Sequence, residues 1–213
     1  MDYFLMQEQT NVLKKNYSDS FKNSLILKII FSISFIFLMA VSANTFFYLP
    51  FTPVPFTLQT LTVLASAILM GKNAASLTQA GYIAAGLIGF PVFAGFKSSF
   101  AVLAGPTAGY LFGFIAGAYI SGFIFENLNN KKPGGSFNLI AALGAGITVI
   151  YIFGFAGLCM FLHLSSLATG LKSIMALSFD LAVRPFIIFD LIKIFIIVNM
   201  AEVITSRYKK CKS

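Results

Sequence analysis

Two residues of opposite charge stand where an apolar chain should not carry any. Asp190 and Lys193 lie in Pro185-Phe-Ile-Ile-Phe-Asp190-Leu-Ile-Lys193-Ile, inside the last long apolar run of a 213-residue sequence. An offset of three puts both on one face of a helix. A charged side chain deep in a membrane span costs at least about 2.5–3.5 kcal/mol on insertion scales, so such groups face the interior and pair. Together they offer a carboxylate acceptor and an ammonium donor in a dry place, which suits a small polar ligand that carries both donors and acceptors. The competing reading is a structural ion pair that fixes helix packing. If the run passes from outside to inside, Asp190 sits about five residues, or ~8 Å, below its outer end, which fits a pocket that opens outward.

Other unusual residues lie upstream. The stretch Leu49-Pro50-Phe51-Thr52-Pro53-Val54-Pro55-Phe56 carries three prolines, which forbid a regular helix and favour extended or turn backbone. It is either a cover over a pocket or a rigid hairpin between helices. Gln59 follows one turn into the next apolar run, and a buried amide there must find a partner in a helix or a ligand. From Tyr82 to Tyr110 the chain is rich in glycine, with Gly86, Gly89, Gly95, Gly105 and Gly109. Small residues let helices approach closely, and glycine with proline lets irregular backbone line a cavity at membrane depth. Tyr82, Phe93 and Tyr110 are candidates to stack on a ligand, although most of the 25 phenylalanines must face lipid.

The elements that position these residues follow from composition. The chain is 58% hydrophobic and only 10% charged, against about 25% charged in soluble domains. That is too little charge to cover a water-facing surface, so lipid is the solvent over most of it. The expected fold class is an all-α membrane protein with six transmembrane helices and both termini cytoplasmic. The spans are expected near Leu25–Ser42, Phe56–Met70, Ala74–Phe90, Ala101–Phe125, Phe137–Leu162 and Pro185–Ile204. The second and third are short for ~30 Å of hydrocarbon and must stand nearly upright or draw on flanking residues. The domain division is a polar N-terminal segment (1–24), a six-helix membrane domain (25–205) and a basic tail (206–213). Lys131-Lys132-Pro133-Gly134-Gly135 reads as a loop.

Charge sets the orientation. Lys14, Lys15, Lys22, Lys28, Lys72, Lys131, Lys132, Arg207, Lys209, Lys210 and Lys212 fall on the cytoplasmic side of this map, and only Lys97, Lys172 and Arg184 outside. With Lys193 in a span, these account for all fifteen Lys and Arg, and the bias obeys the positive-inside rule. The net charge of +8 therefore reflects topology rather than nucleic-acid binding, because the basic residues form no stripe. Cys159 and Cys211 give no disulfide framework or metal spacing, and the lone His163 ends an apolar run. Val41-Ser42-Ala43 resembles a signal-peptidase site, but the apolar run before it exceeds the usual ~7–15 residues, which favours an uncleaved helix.

The sequence lacks a Gly-x-x-x-x-Gly-Lys-[Ser/Thr] loop, a His-Glu-x-x-His pair and a Gly-x-Ser-x-Gly elbow. The expectation is a protein that binds or conducts something, is not an enzyme, needs no cofactor and no metal, and draws its energy from an ion gradient or a partner.

Three motifs, taken in order, carry a resemblance: Pro53-Val-Pro-Phe-Thr-Leu-Gln59-Thr-Leu; Gly89-Phe-Pro-Val-Phe-Ala-Gly95 with Gly105-Pro-Thr107-Ala-Gly-Tyr110; and Arg184-Pro-Phe-Ile-Ile-Phe-Asp190-Leu-Ile-Lys193. Over residues 25–205 the chain resembles the BioY family, the biotin-specific substrate-binding (S) components of energy-coupling factor transporters. The resemblance implies biotin capture near the outer face of a bacterial plasma membrane, with Asp190 and Lys193 in contact with biotin. It also implies that the proline-rich stretch with Gln59, and the glycine-rich stretch with Gly95 and Thr107, line the pocket. The partners implied are a transmembrane coupling protein and two ATPases, with the loaded S component toppling in the membrane and ATP hydrolysis resetting it. The alternatives are an S component for another vitamin and a membrane scaffold that transports nothing. Two departures stand out. Phe96-Lys97-Ser98-Ser99 replaces a commonly more glycine-rich turn, and Ala108 stands where the family usually repeats glycine. The small-residue row by which S components dock is also unclear in the first span, where Ser32, Ala40 and Asn44 are the nearest match.

Overall fold

The computed structural model describes residues 24–131, 136–166 and 170–210, with side chains placed up to residue 201 apart from that of Lys131. The N-terminal segment, the 132–135 loop, the end of the basic tail and most of the lysines used for orientation lie outside the described side chains. Seven α-helices are present among the described residues.

Helix α1 (Leu25–Asn44) opens on Ser24, whose hydroxyl accepts the Leu27 N–H at 3.3 Å. This is an N-cap that satisfies one of the free donors of the first turn. Leu25, Ile26, Ile30, Ile33 and Phe37 point outward, and only Phe35, Met39, Ser42 and Ala43 are buried. Ser32 and Asn44 of the expected docking row turn toward the bundle. Ser32 accepts from Thr78 at 2.9 Å, and Asn44 accepts the Phe96 N–H at 2.7 Å.

A two-stranded antiparallel hairpin follows, β1 (Phe46–Phe47) against β2 (Phe56–Thr57), with Phe47 opposite Phe56. The proline stretch is the loop of this hairpin. Helix α2 (Gln59–Met70) is the most enclosed element, with eight of its 12 residues buried. Gly71, at φ +79°, turns the chain straight into α3 (Lys72–Leu87). That turn rests on α4. A Cβ on Gly122 would lie 2.6 Å from the Lys72 backbone nitrogen, and one turn later Glu126 accepts the Lys72 N–H at 3.0 Å.

Where one helix was expected from Ala101 to Phe125, the structure has a 3-10 turn (Phe100–Ala104) and then α4 (Ala108–Lys131). Gly105-Pro106 is the cause, since proline lacks an N–H and biases the residue before it away from the helix. Helix α5 (Ser136–Leu164) packs on α4 along a glycine seam. Gly109, Gly113 and Gly117 recur every four residues, and a Cβ on any of them would press on α5 at Gly146, Ile150, Phe153 or Gly157. Such spacing lets two backbones touch.

The residues between the fifth and sixth expected spans are not all loop. Leu171–Ala182 forms α6, a short helix whose buried face is Ile174, Ser178 and Ala182. Its 12 residues rise only ~18 Å, too little to cross a membrane, which is why the hydropathy pattern passed over it. Helix α7 (Ile187–Lys210) ends the chain's described part. Among the described residues three helices are long and apolar enough to cross a membrane, in α1, α4 and α5.

Candidate ligand-binding site

Asp190 sits in the first turn of α7, and its own N–H is held by the Phe186 carbonyl at 2.9 Å. A carboxylate is favoured there by the positive end of the helix dipole. Lys193 lies one turn on, and the two side chains meet at 2.7 Å. Both are nearly inaccessible, at 3% and 5% exposure. Two buried charges persist only when they are paired and hydrogen-bonded, and here both are. Lys193 Nζ donates to Asp190 Oδ1 at 2.7 Å, Thr60 Oγ1 at 2.7 Å and the Thr57 carbonyl at 2.8 Å, which uses all of its three protons. Thr60 passes its own proton to Asp190 Oδ1 at 2.8 Å, so Lys193, Thr60 and Asp190 close a ring. Tyr151 of α5 donates to the other carboxylate oxygen at 2.5 Å. The ammonium also lies 4.7 Å from the centre of the Phe56 ring, where the face of the ring attracts a cation.

This cluster forms part of the wall of a cavity of about 380 Å³, within the usual range of small-molecule sites. The hairpin loop supplies Pro53, Val54 and Pro55 at one side, and the turn after α3 supplies Phe93, Ala94, Lys97 and Ser98 at another. Val102, Pro106, Leu111, Phe114 and Phe186 give apolar surface. A second polar line runs across from α2. Thr57 Oγ1 donates to Gln59 Oε1 at 3.1 Å, Gln59 Nε2 donates to the Tyr82 oxygen at 3.0 Å, and Tyr82 donates to the Val92 carbonyl at 3.0 Å. The amide expected to need a partner therefore has one in the protein itself.

Two of the aromatic walls are seated by glycine. Phe93 stands edge-on to Tyr82, with ring centres 5.6 Å apart, and its ring fills the space that a Cβ on Gly86 would take. A Cβ on Gly154 of α5 would meet the Tyr110 ring at 2.5 Å. Tyr110 donates its hydroxyl to the Ala182 carbonyl, and Thr52 of the hairpin loop donates to the neighbouring Leu181 carbonyl at 2.8 Å. The end of α6 is thereby tied to two walls of the cavity.

Of the residues singled out from sequence, Asp190, Lys193, Gln59, Tyr82, Phe93, Thr107 and Tyr110 all line this one cavity. Gly95 does not. It sits behind the wall at φ +75°, in the turn that pairs Phe93 with Lys97. Sequence reasoning missed Thr60 and Tyr151. Tyr151 is the only tyrosine in its apolar run, which was an available signal, whereas Thr60 looks like any threonine in a span. The turn Phe96-Lys97-Ser98-Ser99 contributes Lys97 and Ser98 to the wall, and Phe96 and Ser99 hold φ of +54° and +89°. Both are conformations that glycine adopts more readily, so this chain keeps a glycine-like backbone path with bulkier residues.

A sequence model described as the BioY family matches residues 11–210. The biotin transporter BioY of Thermotoga maritima is 37% identical over 175 residues, which span 82% of this chain and 92% of that protein. The probable biotin transporter BioY of Pyrococcus horikoshii is 31% identical over 150 residues, 70% of this chain and 80% of the other. The biotin transporter BioY of Rhizobium etli is 38% identical over 111 residues, 50% and 59% of the two chains. Among solved structures, the S-component for biotin from an ECF-type ABC transporter superposes with a TM-score of 0.70 at 21% identity. It covers 85% of this chain and 92% of that one. At that identity the likeness speaks for the fold.

Proposed function

The chain belongs to the BioY family, and from that premise we propose that it captures biotin as the substrate-binding component of an energy-coupling factor transporter. The observation that carries this reading is the buried Asp190–Lys193–Thr60 ring on the wall of a cavity otherwise rich in aromatic and aliphatic surface.

Biotin matches that wall group by group. Its ureido ring offers two N–H donors and a carbonyl acceptor, and its thiophane ring and alkyl chain suit apolar contact. Asp190 Oδ2 holds only Tyr151, which leaves it room to accept from a ureido N–H. Every proton of Lys193 is already committed, so a ligand oxygen that takes one must displace the Thr57 carbonyl or Thr60. Phe93, Tyr82, Tyr110 and Phe186 enclose the apolar part, and Gln59 and Thr107 add polar edges to the same wall. Gly95 shapes the turn behind it.

Membership of the family supports the remaining parts of the proposal. The protein spans a bacterial plasma membrane six times with both termini inside, α6 lying between the fifth and sixth spans. It hands its ligand on with the help of a transmembrane coupling protein and two ATPases and turns over no chemistry itself. The chain's own contribution is selection: dry polar groups that reward a ureido ring, inside walls that reject larger or more charged vitamins.

The test is binding by the purified full-length protein in detergent. Radiolabelled biotin should bind tightly, and across a panel of vitamins only biotin should raise the melting temperature, because a ligand stabilises by mass action only if it binds the folded state. A response to another vitamin and none to biotin, or no response to any, would overturn the proposal.

A further inference from the structure

The cavity wall carries three charged side chains, and two of them cancel. Asp190 and Lys193 neutralise each other at 2.7 Å. The third is Lys97, exposed on the turn after α3, and among the described residues it has no carboxylate within ion-pair distance. A cavity with a neutral, buried polar pole and an uncompensated cation on its exposed part has a built-in direction.

Lys97 is held in place by its backbone. The turn is closed by Phe93 and Lys97, whose N–H groups donate to each other's carbonyls at 3.0 and 3.3 Å. Its two flanks are pinned by the Phe96 N–H on Asn44 and by the Ser99 N–H on the Gly86 carbonyl at 2.9 Å. Its stem lies over Gly95, where an added Cβ would be 3.9 Å from Lys97 Cε. The ammonium is thus exposed on a fixed turn directly across from Phe93, which is itself locked into the Gly86 notch.

We propose that Lys97 is the carboxylate-recognising residue of this site: the ligand lies with its uncharged ring at the Asp190–Lys193–Thr60 pole and its carboxylate at Lys97. The inference rests on the reading that the site takes biotin, and it fixes the ligand's direction and names a residue that separates the acid from its uncharged derivatives. A carboxylate placed at the other pole would have to break the Lys193–Asp190 pair or lie beside the Asp190 charge, and like charges in a dry site repel strongly. At Lys97 it meets an unpaired cation and stays partly in water.

The test compares biotin with its primary carboxamide, biotinamide, on the full-length protein in detergent at low salt, in the parent and in Lys97→Met and Lys97→Arg. The parent should prefer biotin by about two- to five-fold, the range for a partly exposed ion pair, and the preference should shrink as salt is added. Lys97→Met should bring the ratio to about one while affinity for biotinamide stays within about two-fold, and Lys97→Arg should keep the preference. An unchanged ratio in Lys97→Met, or equal losses for both ligands, would overturn the assignment of Lys97. Failure of the parent to bind either ligand would instead defeat the biotin reading, so the two failures are told apart.

Discussion

Tyr151 donates its hydroxyl to Asp190 at 2.5 Å and so joins the middle of α5 to the first turn of α7. With Thr60 and Lys193 on the other oxygen, the carboxylate is nearly saturated before any ligand arrives. Tyr151→Phe removes this donor and keeps the ring. The unliganded protein should lose about 1.5–3 kcal/mol, the usual worth of a hydrogen bond to a charged group, read as a lower melting temperature. The rise in melting temperature on adding biotin should be at least as large as in the parent, because the ligand's N–H groups then complete the carboxylate. A rise that disappears would show that the ligand itself needs the phenol.

Removing one member of the buried pair differs from removing both. Asp190→Asn leaves an unpaired ammonium at 5% exposure, and Lys193→Met leaves an unpaired carboxylate at 3%. Each single change should cost about 3–5 kcal/mol and abolish biotin binding. The double variant Asp190→Asn/Lys193→Met should recover much of that stability and none of the binding. Recovery of both would mean that the charges serve only packing, and denaturation curves beside binding isotherms on the same three proteins decide it.

Gly86 and Gly154 make room for Phe93 and Tyr110. Gly86→Ala should cost about 1–3 kcal/mol as an overpacked contact and weaken biotin binding, because the displaced ring belongs to the cavity wall. Adding Phe93→Leu should restore stability to within about 1 kcal/mol of the parent. Thermal melts of the single and double variants measure the rescue.

Gly109 behaves differently because its neighbours are backbone. A Cβ there would strike the Phe153 carbonyl and the Cα of Gly157, and no side chain can be trimmed to accommodate it. Gly109→Ala should therefore destabilise more than Gly86→Ala, and no second truncation at position 153 should rescue it. Yield of monodisperse protein on gel filtration is the first readout.

The Lys72–Glu126 ion pair, at 3.5 Å and about one-third exposed, is a contrast. Glu126→Gln keeps an acceptor for the Lys72 N–H, so the change should stay within about 1 kcal/mol, and biotin affinity should match the parent. A large loss of stability would mean that the charge itself holds the turn between α2 and α3 in place.

How much of this was legible without coordinates depends on how unusual each residue is in its surroundings. Asp190 and Lys193 are conspicuous because lipid tolerates almost no charge, and three closely spaced prolines announce irregular backbone. The glycine-rich stretch was legible as a class, yet only coordinates separate Gly86, which receives a ring, from Gly109, which receives a backbone. Thr60 and Tyr151 stayed hidden because a hydroxyl in an apolar run is common, and their role arises from contacts 130 and 39 residues away in sequence. Helix α6 was passed over because a 12-residue amphipathic segment gives no hydropathy peak. The start of α4 was misplaced because apolar content continues through a 3-10 turn that only Gly105-Pro106 interrupts.

Thr52 and Tyr110 end on adjacent carbonyls, those of Leu181 and Ala182. The proline loop and the first turn of α4 are therefore moored to one bollard. Displacing either one strains the same peptide pair, so the two are mechanically joined through the end of α6.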